Sequence, residues 1–154
     1  MPNGIYTSSL HRVIGLAKIE ACNHRSRYVE PEHLLLSLLE LPIDNNTNVG
    51  SHLLTRTMGI DKKSLVSEIE GYLKNEDHEV TEPRLSERST LVLNFAEEFA
   101  MKRKDEIVDT CHLVYGLITA NGSFAATSLS NHGVTKDTYI PGFAGLHGSG
   151  KREK

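Results

Sequence analysis

The chain has 154 residues, 38% hydrophobic and 24% charged, with 6% aromatic residues, no Trp and a formal charge of −3, which suits one ordinary domain held by its own core. The acidic balance and scattered aromatics exclude the basic stripe or stacking platform of a nucleic-acid binder, and no apolar run approaches the ~20 residues that span a bilayer. Two cysteines, Cys22 and Cys111, are too few for a secreted disulfide scaffold and fit a reducing, cytoplasmic setting; the first residues, from Met1 to Tyr6, show no signal peptide.

In chain order, Leu10, Val13, Ile14, Ala17 and Ala21 recur at steps of three and four and predict a first helix, capped from Thr7–Ser9. Residues 22–28 form a polar connection. Pro31 opens a second helix, where its missing N–H costs nothing, and that helix runs from Glu32 to Leu41. Apolar nearly all round, it is expected at the centre of its half. Pro42 stops it. Residues 44–48 read as a solvated loop, Ser51–Met58 as a short helix ended by Gly59, and Asp61 as the cap of a helix with Leu65, Ile69, Tyr72 and Leu73 on its inner stripe.

After an acidic linker over 75–83, the order repeats. Ser86 opens a helix with Val92, Phe95, Ala96 and Phe99 on one face, Asp109 caps a helix bearing Leu113, Val114, Leu117 and Ile118, and Gly133 ends a short third one. Placing Glu32-His33-Leu34 on Cys111-His112-Leu113 sets an offset of 79, under which Val13, Ala17, Ala21 and Val29 fall on Val92, Ala96, Ala100 and Val108. No alternating strand is visible. The expected fold is all-α: eight helices in two four-helix halves, about 5–74 and 84–141, packed as a pseudo-two-fold duplication. Residues 143–154, rich in Gly, read as a flexible tail or linker beyond a domain over 1–142.

Tyr28-Val29-Glu30-Pro31-Glu32-His33-Leu34-Leu35-Leu36-Ser37-Leu38-Leu39 resembles the signature of the Clp repeat, the N-terminal domain of AAA+ unfoldases of the ClpA, ClpB and ClpC type. Leu85-Ser86-Glu87-Arg88 and Ala100–Asp105 look like its second copy, so the resemblance covers about 5–140. It implies a non-catalytic domain, monomeric in isolation, that binds an adaptor protein, a substrate polypeptide or a Clp ATPase or protease, without cofactor, nucleic acid or membrane. The resemblance also implies the candidate site. In some members the glutamate before the histidine of each copy holds a phosphorylated arginine; Glu32 keeps that residue, whereas Cys111 replaces it in the second copy. Thr7 and Ser86, at the helix starts of the two copies, offer hydroxyls and amides to a bound group. A second branch with the same signature docks a sheath-protein helix in secretion-system unfoldases.

Other constellations are weaker. Gly145–Arg152 nearly matches a phosphate-binding loop, but Arg152 stands where Ser/Thr would hold Mg²⁺ and no strand precedes it. His24, His33, His52, His78, His112, His132 and His147 form no i,i+4 pair and offer no closed zinc set. Cys111 beside His112 could be an activated thiol, though a buried cysteine is ordinarily a small hydrophobe.

Overall fold

The computed structural model describes residues 5–43, 48–73 and 82–144. Eight helices run through them: α1 (Ser8–Asn23), α2 (Pro31–Glu40), α3 (Val49–His52, continued by a π-helical turn Leu53–Thr57), α4 (Lys62–Tyr72), α5 (Glu87–Lys102), α6 (Thr110–Thr119), α7 (Phe124–Asn131) and α8 (Lys136–Ala144). The 143–154 tail expected from the sequence starts inside α8, and its remainder, with the phosphate-loop-like segment, lies outside the described residues.

Most of these helices begin where a side chain takes up a free amide of the first turn. Thr7 accepts from Leu10 N–H, Asp61 from Lys63 N–H, Ser86 from Ser89 N–H and Ser123 from Ala126 N–H. The two central helices, α2 and α6, use reciprocal caps: His33 Nδ1 accepts Glu30 N–H at 2.9 Å, and His112 Nδ1 accepts Asp109 N–H at 2.9 Å. Burial follows. Leu34, Leu35, Leu36, Leu38 and Leu39 of α2, and Leu113, Val114 and Leu117 of α6, are wholly buried. α1 packs on α2, α5 packs on α6, and α2 meets α6 at the centre.

Three details differ from the sequence reading. α3 starts at Val49, because Asn48 is not solvated: its Nδ2 donates to Leu38 O and Leu41 O at 2.8 and 2.7 Å, and its Oδ1 accepts from Ser51 N–H. A buried amide tying two segments together displaces the expected loop residue. Tyr72 leaves the inner stripe of α4, half exposed and stacked on Phe124 with centroids 4.1 Å apart. Finally, β1 (Tyr28–Val29) and β2 (Arg84–Leu85) form a parallel pair, and Tyr6 bridges Val108. Elements of two residues carry no alternation to read.

These short pairs display the duplication. Val29–Leu85 and Val108–Tyr6 are the same contact seen from the two halves, offset by 79. Ser86 N–H donates to Val29 O at 3.1 Å, and Thr7 N–H donates to Val108 O at 3.0 Å. Arg25 and Lys104, again 79 apart, both close their first helix in the left-handed region. The pseudo-two-fold axis therefore relates two clefts, each lying where one half's cap residue meets the other half's central helix.

Candidate functional site

The two clefts are equivalent by sequence offset and opposite in state. In the cleft at Thr7, the Thr7 hydroxyl donates to Asp109 Oδ1 at 2.9 Å, and the same oxygen accepts Thr110 N–H at 2.7 Å. Tyr6 Oη donates to Glu97 Oε2 at 2.7 Å; burial and the Glu97 carboxylate push that phenol well above its ordinary pKa. Gly50 N–H donates to Thr110 Oγ1 at 2.8 Å, and a Cβ on Gly50 would stand 2.6 Å from Thr110 O, so α3 and α6 touch backbone to backbone there. His112 Nε2–H donates to Asp105 Oδ2 at 2.7 Å. Side chains of the chain itself bridge this cleft.

At Ser86 most counterparts have changed, His33 for His112 being an exception. Tyr6, Thr7, Asp105, Asp109 and Thr110 become Leu85, Ser86, Ser26, Glu30 and Pro31. Leu85 has no hydroxyl, and Pro31 has neither an N–H nor a hydroxyl to tie the neighbouring helix. Ser26 turns its hydroxyl to Tyr28 O at 2.8 Å. The latch is missing, and a groove of about 1360 Å³ lies between the halves. It is larger and more open than the ~300–1,000 Å³ typical of small-molecule sites, which suits a polypeptide.

Of the candidate residues, Glu32 and Ser86 line this groove and Thr7 does not. Thr7 instead sits in the filled cleft, its oxygen used by Leu10 N–H and its proton by Asp109. Glu32 lies on α2 with only 4% exposure, and its Oε2 accepts Ala125 N–H from the first turn of α7 at 2.8 Å. Burial raises its pKa, and the Ala125 amide partly offsets that. Ser86 caps α5, and its hydroxyl proton has no acceptor among the described residues.

Sequence reasoning missed most of the rim. Tyr28 and Tyr72 are each 49% exposed and Leu91 is 45% exposed, and all three line the groove. Leu91 gave a usable signal, an apolar residue adjacent to the Val92 stripe and therefore off it. Arg88 also lines it, with Nη1 donating to Gly122 O at 2.6 Å. In the wall stands His33, 1% exposed, its Nδ1 already accepting Glu30 N–H, so that Nε2 carries the proton; that atom is buried and unpartnered. Burial, with His24 nearby, lowers its pKa to about 4.

Neither reactive constellation gains support. An Nε2–H cannot ligate a metal while Nδ1 keeps its cap bond, and no group of three or more potential ligands gathers among the described residues. Cys111 Sγ lies 3.9 Å from His112 Nδ1, but that nitrogen already accepts Asp109 N–H and the other donates to Asp105, so His112 does not serve the thiol as a base. No helix among the described residues is long and apolar enough to cross a membrane.

Comparison with known proteins agrees with this architecture. A family model described as the Clp repeat (R) N-terminal domain matches residues 5–132. The chaperone protein ClpB of Porphyromonas gingivalis is 29% identical over 73% of this chain, which spans only 12% of that protein's length. The N-terminal domain of Hsp104 from Candida albicans is 17% identical, with a TM-score of 0.74 over 94% of this chain and 93% of that one. The N-terminal domain of the ClpV1 ATPase of an E. coli type VI secretion system is 19% identical, with a TM-score of 0.69 over 88% of this chain and 82% of that one.

Proposed function

Starting from the fact that the chain belongs to the Clp repeat N-terminal domain family, we propose that it is a non-catalytic protein-binding module of the Clp unfoldase and protease system. On this reading it takes an adaptor or substrate polypeptide in the groove at Ser86 and Glu32. One observation carries the proposal. Of two clefts related by an internal two-fold, one is latched shut by Thr7–Asp109 and Tyr6–Glu97, and the other is open, with half-exposed Tyr28, Tyr72 and Leu91 on its rim. Such partly exposed apolar side chains gathered at a concavity mark an interaction site. The module then presents one binding site per chain.

Glu32 anchors the groove wall by capping α7, so its first role is to position the two halves against each other. Titration calorimetry with a permanently unfolded client tests the proposal. One site per chain is expected, with binding lost in Leu91→Arg, which places a charge on an exposed and therefore replaceable rim position. Unchanged binding by Leu91→Arg, or two equal sites per chain, would contradict it.

A further inference from the structure

We propose that the groove selects segments carrying a lysine or arginine among apolar residues, with the cation against Glu30 and Glu87 and the apolar side chains against Tyr28, Tyr72 and Leu91. This inference rests on the groove being the polypeptide site, and adds the charge of what it takes.

The charge balance of the lining supports this selection. Val29 pairs with Leu85, and this register sets the starts of α2 and α5 side by side, with Glu30 capping one and Glu87 opening the other. Both line the groove, and neither takes part in the ion pairs His24–Glu20, Arg103–Asp105, His112–Asp105 and His132–Glu68. Glu32 adds a third carboxyl group beneath them. The one Arg in the lining, Arg88, donates to Gly122 O, and its charge acts on Glu32, so Glu30 and Glu87 are the carboxylates left without a cation beside them among the described residues. Acidic groups at helix starts are stabilised by the helix dipole, which accounts for their presence and leaves their outward charge for a partner. The half-exposed Tyr28 and Tyr72 offer ring faces that attract a cation and accept its aliphatic stem.

Fluorescence anisotropy with labelled ten-residue peptides tests this. The peptides share one apolar sequence and differ only at the central residue: Lys, Gln, Glu or phosphoserine. The Lys peptide is expected to bind about tenfold more tightly than the Glu peptide, with Gln between. That ratio should fall to about threefold in Glu87→Gln, and fall again as salt rises from about 0.05 to 0.5 M. If the Gln peptide binds in a Leu91-dependent way and Lys gives no advantage, the groove reading stands and the charge selection is overturned. Tightest binding by the Glu or phosphoserine peptide also overturns it. Failure of every peptide to bind overturns both.

Discussion

Thr7 and Ser86 occupy the same place in the two copies, and both cap a helix, yet they do different work. Thr7 also donates to a carboxylate 102 residues away, whereas Ser86 lines the groove with no such partner among the described residues. Thr7→Ala is therefore expected to lose the cap and the Asp109 contact together, about 2 kcal/mol, against about 1 kcal/mol for Ser86→Ala, which loses the cap alone. Urea unfolding of the two variants measures the difference. The same contrast governs pH. His33 is held neutral in the native state, with its pKa lowered to about 4 from an unfolded value near 6.5. A depressed histidine makes its full contribution above the unfolded value. Between 6.5 and 4 the unfolded chain binds a proton that the native chain refuses, so stability is lost as pH falls. From pH 7 to pH 5 this one group removes about 2 kcal/mol. Ser26→Asp copies the Asp105–His112 arrangement into the first half, raises the native pKa of His33 and makes that loss smaller, as denaturation at the two pH values will show. Both residues of the pair at 33 and 112 were visible in the sequence as one repeated position. What separates them, Ser26 against Asp105, is legible only once the distant partner is known.

At the scale of elements, helix starts were legible because a cap is a local event: Thr7, Asp61, Ser86 and Asp109 each act within three residues. The start of α3 was not, since Asn48 answers to Leu38 O and Leu41 O, outside its own helix. Tyr72 was misplaced for a related reason. It has the period of a core residue, but its cross-helix neighbour is the ring of Phe124 at the groove. Helix packing makes a sharper test. A Cβ on Gly116 would lie 2.2 Å from Val92 O, so α5 and α6 meet at bare backbone. Gly116→Ala should destabilise the fold by roughly 3 kcal/mol, the upper end for overpacking. Gly71, near the end of α4, has nothing within 4 Å of its would-be Cβ, and Gly71→Ala should stabilise by up to about 1 kcal/mol. Thermal melts of the two variants should move in opposite directions.

Across the whole molecule, duplication supplies two clefts, and divergence between the copies latches one of them. The eight-helix plan and the equivalence of the halves were readable from the 79-residue offset, because both follow from repeated apolar spacing. Which cleft stays open depends on pairs of residues on opposite halves, and no local pattern records those pairs. The account therefore turns on a single asymmetry, and amide NMR during titration with an unfolded client tests it most directly. Shifts concentrated at Tyr28, Arg88, Leu91 and Phe124, with Thr7 and Asp109 silent, are predicted. Perturbation centred on Thr7 and Asp109, or equal in both clefts, would contradict it.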